Sequence, residues 1–255
     1  MASGIDISSA MKVYGDGANA VHAFGPSTLS IEPGEFVSLV GPSGCGKSTL
    51  MLMIAGLLDC SSGSISVEGI PVKGPQTRIG IMFQDNTLVP WRTVTGNIEL
   101  QLELRGLPVS ALRGKIDQLI RSVGLDEFAG RYPYELSGGM QQRAAFCQTL
   151  VHGPGILLLD EPLGKLDAMT RENIRRDLQK LWLAERPTVV FVTHSIEEAV
   201  QLSTKVCVVT PRPGRIERVI DIDLPWPRDL DVKRSARFAA YARQIEEIFH
   251  DYGVL

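Results

Sequence analysis

The chain has 255 residues, 44% of them hydrophobic, which suffices to bury a sizeable core and argues against disorder of the whole chain. Its formal net charge is −3, with acidic and basic residues interspersed, so no overall positive field would attract nucleic acid. We therefore expect no nucleic-acid partner.

Secretion and membrane insertion are also disfavoured. Residues 1–10 lack the positive start and apolar run of a secretory signal. The longest apolar stretches, such as 51–58 and 189–192, are far shorter than the roughly 20 residues that span a bilayer. No two cysteines have CxxC or metal-ligand spacing, which predicts reduced thiols. We expect a soluble, cytosolic protein without a structural disulfide or zinc.

The first predicted unit is a strand, a loop and a helix. Residues 35–40 form a short apolar run that ends at a glycine-rich turn, and residues 48–58 have the composition of a buried helix. Residues 63–69 alternate apolar and polar side chains between glycines, as in a half-exposed hairpin strand. That strand predicts a small antiparallel sheet beside the main one.

The middle of the chain predicts a helical lobe. After an apolar strand at 79–83, helical spacing covers 94–105 and 109–123, with Gly106 and Pro108 between the two helices. This pair of helices interrupts the alternation of strands and helices in the rest of the chain.

Strands and helices alternate again in the second half. The last predicted helix has Phe238, Ile245 and Ile248 on a packing face. Continuous apolar strands separated by helices indicate a parallel sheet covered on both faces, and hence an α/β fold. The predicted strands are 156–160, 188–193, 206–209 and 216–222, and the predicted helices start at Gly139 and cover 168–185, 195–202 and about 232–252.

A complete phosphate-binding loop pattern lies between the strand at 35–40 and the helix at 48–58. Its glycines let backbone N–H groups surround phosphate oxygens, and the following helix directs its positive end at them. In such a loop Lys47 reaches the β- and γ-phosphates and Ser48 binds Mg²⁺. A plain glycine-rich turn is the alternative, but pattern and context agree on a nucleotide site. The loop consists of Gly41, Pro42, Ser43, Gly44, Cys45, Gly46, Lys47, Ser48 and Thr49.

An acidic pair follows the buried strand at 156–160, where the ligands of open parallel sheets gather. Asp160 is placed to hold the Mg²⁺ shell, and Glu161 to act as general base on the attacking water. Alone, such a pair is more often a helix start or a solvated turn. Its position after a phosphate-binding loop favours catalysis.

Residues 136–143 place Ser137, Gly138 and Gly139 at the start of a helix. An N-cap alone would explain this pattern, and so would an anion cradle at the helix N-terminus. The segment Leu-Ser-Gly-Gly-Met-Gln-Gln-Arg resembles the signature motif of ATP-binding cassette (ABC) proteins. Together with the other motifs, the resemblance extends over nearly the whole chain.

This resemblance implies roles for further residues. Tyr14 matches the aromatic residue that stacks on adenine, Gln84 matches the Q-loop, which contacts metal or water, and His194 matches the switch histidine near the γ-phosphate. Each of the three, taken alone, would be interpreted as packing or solvated. Asp167 lies in the D-loop between opposed subunits, where Lys165 replaces a small residue.

The fold implied by the resemblance is a P-loop NTPase cassette with a mostly parallel core sheet, an antiparallel β subdomain and an α-helical subdomain. The cassette would cover 1–230, with the helical part inserted at about 90–135, and a helical extension would cover 231–255. In this family two copies stack head to tail, so that Ser137 and Gly139 of one copy close on ATP and Mg²⁺ held by the other.

The resemblance also implies an importer. Segments 85–94 and 211–216 are similar to the branch that imports nitrate, sulfonate and taurine. The implied partners are a second ATPase subunit, integral-membrane permease subunits and an extracytoplasmic binding protein, with the ATPase at the cytoplasmic face of the inner membrane.

Two other classes of function remain as hypotheses. A non-transport cassette that acts as a switch in DNA repair or translation usually has a coiled-coil insertion or two cassettes in one chain, and the sequence predicts neither. A GTPase or small-molecule kinase would share the phosphate-binding loop but leave the signature motif, Gln84 and His194 unexplained.

Overall fold

The computed structural model describes residues 4–85, 87–164 and 166–254, apart from the side chain of Ala18. Two predicted features fall partly outside these ranges: Lys165 of the D-loop and Asn86 within the segment 85–94. The strands, in chain order, are β1 Ile5–Tyr14, β2 Val21–Ile31, β3 Phe36–Val40, β4 Ser62–Val67, β5 Ile70–Pro71, β6 Ile79–Met82, β7 Ile156–Asp160, β8 Thr188–Thr193, β9 Lys205–Val209 and β10 Ile216–Asp221.

The helices pack around two sheets. Short 3-10 turns occupy Gly17–Asn19, Asp126–Phe128 and Pro133–Glu135. The α-helices are α1 Lys47–Ile54, α2 Val94–Glu103, α3 Val109–Ser122, α4 Gly138–Leu150, α5 Ala168–Glu185, α6 Ile196–Leu202, α7 Leu230–Lys233 and α8 Ala236–Asp251.

The core sheet has six strands in the order β10-β9-β3-β8-β7-β6. Strands β9, β3, β8, β7 and β6 are parallel, and only β10 runs antiparallel to its neighbour. Every residue of β3, β7 and β8 is buried, because apolar clusters cover both faces of the sheet. The carboxyl ends of these strands therefore meet at one edge, where ligands of such sheets bind.

The second sheet is antiparallel, with the order β2-β1-β4-β5. The hairpin strand predicted at 63–69 is β4, but the two longest strands of this sheet, β1 and β2, were not predicted. The pairing register of β1 shifts between Ile7 and Ala10, and Ser9 adopts a φ of 45° there. Such a bulge breaks the period-two pattern by which a strand is predicted.

Helices α2 and α3 correspond to the predicted helical lobe, and α4 packs against both. Their apolar side chains, among them Ile98 and Ile116, belong to the same buried cluster as Leu157 and Leu159 of the core sheet. Asn97 is fully buried in α2, and its side chain bonds the backbone of 89–93 through four hydrogen bonds of 2.6–3.1 Å. Asn97 thereby fixes the segment between Gln84 and the lobe.

Two predicted helices had the wrong limits. The helix predicted at 48–58 ends at Ile54, because Gly56 takes a φ of 70° and the Leu57 N–H bonds back to the Leu52 carbonyl. The single helix predicted at about 232–252 is two helices, α7 and α8. The Ser235 hydroxyl accepts the N–H of Phe238 and so starts α8 afresh.

Arg228 links the C-terminal segment, which contains α7 and α8, to the core. Its side chain is 1% exposed, donates to the carbonyls of Val200, Ser203 and Ile222, and lies 4.0 Å from the ring centroid of Trp226. Burial lowers the pKa of this guanidinium to about 10, so it stays charged at neutral pH. The buried guanidinium therefore provides hydrogen-bond donors to several buried carbonyl oxygens at once.

Replacing Arg228 with alanine is expected to lower the free energy of unfolding by about 3 kcal/mol, because buried carbonyls lose their donors and a cavity forms. Urea unfolding followed by circular dichroism measures this change. The control is Arg243→Ala on the exposed face of α8, which should change stability little. Equal effects of the two variants would show that Arg228 does not fasten the segment.

Candidate functional site

The phosphate-binding loop connects β3 to α1 at the carboxyl edge of the core sheet. Gly46 has a φ of 98°, and a Cβ there would lie 2.2 Å from the Ala23 carbonyl oxygen, so only glycine fits. Lys47 is 5% exposed, and its ammonium donates to the carbonyls of Gly41 and Pro42 at 2.8 Å each. The loop therefore surrounds a cation at the N-terminus of α1, which suits an anionic ligand.

Cys45 lies on the inner side of this loop. It is buried, and burial raises the pKa of its thiol although the nearby Lys47 ammonium opposes that shift. Cys45 is thus a packed, protonated residue without the lowered thiol pKa of a redox-sensing cysteine. All four cysteines are free thiols.

Asp160 ends β7 and faces the start of α1. It is 5% exposed, and burial raises the pKa of its carboxyl, with a hydrogen bond from Ser48 acting in the opposite direction. Its Oδ1 atom is buried and has no hydrogen-bond partner in the part of the chain that the structure describes. Ser48 and Asp160 thus place a hydroxyl and an unpaired carboxylate oxygen together, and Mg²⁺ prefers such oxygen ligands.

Glu161 has an unusual backbone conformation, with a φ of 44°. Its N–H bonds to the Val192 carbonyl at 3.0 Å, which holds the residue between β7 and β8. The Gln84 side-chain amide donates to one carboxylate oxygen at 3.2 Å, and His194 Nδ1 lies 3.5 Å from the other. The structure therefore brings the three predicted catalytic residues, Gln84, Glu161 and His194, into one cluster.

A cleft of about 320 Å³ connects this cluster to the phosphate-binding loop. Gln84 and Glu161 line this cleft, and so does Tyr14 of the antiparallel sheet, which is 45% exposed. Lys12 lies over the ring of Tyr14, 5.4 Å from its centroid. The cleft also contains residues not predicted for the site: Val21, Ala23 and Arg212. The loop residues that line it are Ser43, Gly44, Gly46, Lys47, Ser48 and Thr49.

The predicted signature and D-loop residues do not line this cleft. Ser137 caps α4, accepting the N–H of Met140 at 3.3 Å, and Gly138 and Gly139 form the first turn of that helix. Asp167 caps α5, where hydrogen bonds from Thr170 lower the pKa of its carboxyl. Within one copy of the chain, these residues therefore do not line the cleft that contains the phosphate-binding loop.

The sequence gives little indication that Val21, Ala23 and Arg212 lie in the cleft. Val21 and Ala23 belong to β2, whose pairing with β1 brings them beside the loop. Arg212 follows β9, and the only sign of it was the similarity of segment 211–216 to an importer branch. A phosphate-binding loop with a nearby carboxylate, amide and imidazole is the arrangement of a nucleoside triphosphate hydrolase.

Comparisons with known proteins agree with this class. A family model described as ABC transporter matches residues 24–164. The aliphatic sulfonates import ATP-binding protein SsuB of Bacillus licheniformis is 44% identical over 217 residues, which are 85% of this chain and 84% of that protein. The taurine import ATP-binding protein TauB of Rhizobium johnstonii is 43% identical over 237 residues, 90% of each chain.

A solved structure has the same fold. The dimeric structure of a post-hydrolysis state of the ATP-binding cassette MJ0796, bound to ADP and Pi, gives a TM-score of 0.78 at 33% identity, covering 86% of this chain and 98% of that one. The chain belongs to the ABC transporter family and is an ATPase of that family. The family, the fold class and the ATPase activity expected from the sequence are confirmed. Across the described ranges, no helix combines the length and apolar character needed to cross a bilayer.

Proposed function

We propose that this protein is the ATP-hydrolysing subunit of a membrane importer for small organic anions of the sulfonate or taurine type. The ATPase part of the proposal is carried by the cluster of Gln84, Glu161 and His194, of which Gln84 and Glu161 line the same cleft as Lys47. The importer part is supported by the relatives named as import proteins for aliphatic sulfonates and taurine.

The loop would bind the triphosphate of ATP. Lys47 and the backbone N–H groups at the start of α1 provide positive potential for the β- and γ-phosphates. Tyr14, which lines the same cleft, would provide an aromatic face for adenine. Ser48 and the unpaired Oδ1 of Asp160 would hold Mg²⁺, which neutralises charge on the phosphates.

Glu161 is the proposed general base. The carboxylate projects from a backbone held in the left-handed region, and Gln84 and His194 contact its two oxygens. This arrangement orients one carboxylate without burying it completely, and so leaves it able to accept a proton from a water molecule. The His194 side chain is 60% exposed beside Glu161, and it would meet the γ-phosphate there.

We infer that the complete site needs a second copy of the chain. The N-terminus of α4, with Ser137, Gly138 and Gly139, is an exposed anion-binding end outside the cleft of its own copy. A head-to-tail dimer would bring this end against the nucleotide of the partner. Support comes from MJ0796, whose solved structure with ADP and Pi is dimeric.

The proposed contact with the permease lies between Gln84 and α2. Trp91 is 76% exposed, on the segment 89–93 that Asn97 holds rigid through its backbone. An exposed tryptophan on a rigid support is typical of the centre of a protein interface. The segment starts five residues after Gln84, so a permease bound there would be linked to the catalytic cluster by a short stretch of chain. With this contact the protein would lie at the cytoplasmic face of the inner membrane, and an extracytoplasmic substrate-binding protein would join the permease on the other side.

The experiment is purification of the tagged protein from native membranes, followed by identification of the proteins that accompany it. We expect a multi-span permease. Replacing Trp91 with alanine should reduce permease recovery about tenfold or more while the isolated subunit keeps its ATPase rate. The control Leu230→Ala removes an exposed apolar side chain from α7 and should leave recovery unchanged.

Recovery of only soluble DNA-repair or ribosomal proteins would contradict the importer proposal. If a permease is found, transport of taurine and of an alkanesulfonate by the reconstituted complex identifies the cargo. Transport of neither would contradict the substrate class and leave the ATPase assignment intact.

A further inference from the structure

The turn that follows β9 packs directly against the phosphate-binding loop. The Gly25 N–H bonds to the Gly214 carbonyl at 2.7 Å, and a Cβ on Gly214 would lie 1.7 Å from the Cys45 carbonyl oxygen. Within the turn, the Thr210 hydroxyl donates to the Pro213 carbonyl and accepts the N–H of Arg215. Such close backbone contact fixes the turn relative to the loop.

Arg212 extends from this turn into the nucleotide cleft. Its Nε donates to the Gly44 carbonyl at 2.5 Å, and Arg212 lines the cleft together with Lys47, Ser48 and Tyr14. No ion pair joins Arg212 to a carboxylate among the described residues, whereas Arg215 of the same turn pairs with Glu217 at 3.4 Å. Arg212 is therefore a charged group in the cleft, and its Nη atoms have no hydrogen-bond partner among the described residues, which leaves them available to a ligand.

We propose that Arg212 is a nucleotide-binding residue, which contributes a second side-chain cation, after Lys47, to the triphosphate of ATP. The inference rests on the ATP site proposed above. A guanidinium presents several N–H donors in one plane and matches phosphate oxygens well. The bond from Nε to Gly44 fixes the side chain in place before ATP binds, so little side-chain entropy is lost on binding.

The competing explanation is that Arg212 only braces the loop through Gly44. Two substitutions separate the explanations, because lysine keeps the charge and glutamine keeps a neutral donor. If Arg212 binds phosphate, Arg212→Lys, which keeps the charge but not the planar set of donors, should raise the KM for Mg-ATP less than Arg212→Gln does. If Arg212 is a brace, glutamine should restore the KM as well as lysine does.

The test compares steady-state ATP hydrolysis by the full-length variants. Arg212→Met is expected to raise the KM for ATP roughly tenfold and to change kcat much less, because the lost interaction is present in both ground and transition states. Arg215→Met, which removes an exposed arginine from the same turn but outside the cleft, should leave the KM unchanged. An unchanged KM in Arg212→Met would overturn the inference.

Competition by inorganic tripolyphosphate identifies the part of the nucleotide that Arg212 contacts. A weaker inhibition constant in Arg212→Met, by a factor similar to that for ATP, is the expected result. If only ATP is affected, the contact is with the base or the ribose and the inference is wrong. Lys47→Met tests the underlying site separately, since ATP hydrolysis that persists in that variant would contradict the proposed ATP site and not only the role of Arg212.

Discussion

Replacing Glu161 with glutamine is expected to lower kcat for ATP hydrolysis by about 100-fold or more while ATP binding is retained. Glutamine has nearly the same shape as glutamate but cannot accept a proton from the attacking water. The residue would stay in position, because its backbone is bonded to Val192 and its side chain lies beside Gln84 and His194. Only the proton acceptor is removed.

Two measurements on this variant are required, the hydrolysis rate and the affinity for Mg-ATP. The matched control is Glu247→Gln on the exposed face of α8, which should hydrolyse ATP at the wild-type rate. Because ATP would persist in the Glu161 variant, we also expect a dimer in light scattering with saturating Mg-ATP. Near-normal turnover would remove Glu161 from the role of base, and a persistent monomer would count against the isolated ATP-bound dimer.

Replacing Gly138 with aspartate is expected to abolish most ATP hydrolysis, by about 100-fold, without destabilising the subunit. Apart from Gly138 itself, its two chain neighbours and the adjacent backbone of α4, no described atom lies within 4 Å of the Cβ position of Gly138, so other parts of its own copy do not obstruct the new side chain. Gly138 is also the first residue of α4, where an acidic residue interacts favourably with the helix dipole and glycine is a poor helix former. The proposed dimer, however, would place this carboxylate against the γ-phosphate of the partner.

Gly138→Asp is therefore expected to lower the ATPase rate without lowering the stability of the free subunit. Thermal unfolding of the free subunit should occur at the same or a higher temperature, whereas the ATPase rate should fall. Gly114→Asp on α3 is the control, since its Cβ position is equally open. Loss of activity together with a lower melting temperature would indicate damage to the fold, and unchanged activity would show that α4 does not face a nucleotide.

The phosphate-binding loop, the acidic strand end and most core elements were predictable, because each is encoded by neighbouring residues. Strands β7 and β8 and helix α5 have the predicted limits, since their apolar runs are continuous and Asp167 provides a clear N-cap. Strands β1 and β2 were missed because a bulge at Ser9 interrupts the alternation in β1. The local pattern of apolar and polar residues does not reveal such a bulge.

The catalytic cluster was predictable as residues but not as geometry. Gln84, Glu161 and His194 follow different strands, β6, β7 and β8, and only the parallel order of these strands brings their side chains together. Arg212 was beyond prediction, because its place in the cleft depends on the packing of the turn after β9 against Gly44. Contacts between distant segments leave no pattern in a single sequence.

The proposed two-copy site is the central claim, and one measurement tests it most directly: the ATPase rate of mixtures of Lys47→Met and Gly138→Asp subunits. Each variant alone should be inactive, because Lys47→Met impairs the phosphate-binding loop and Gly138→Asp impairs the N-terminus of α4. In a mixed head-to-tail dimer, the intact loop of one subunit meets the intact α4 N-terminus of the other, so one functional site forms. We predict activity that peaks near equal amounts of the two variants. Mixtures as inactive as the separate proteins would contradict the account.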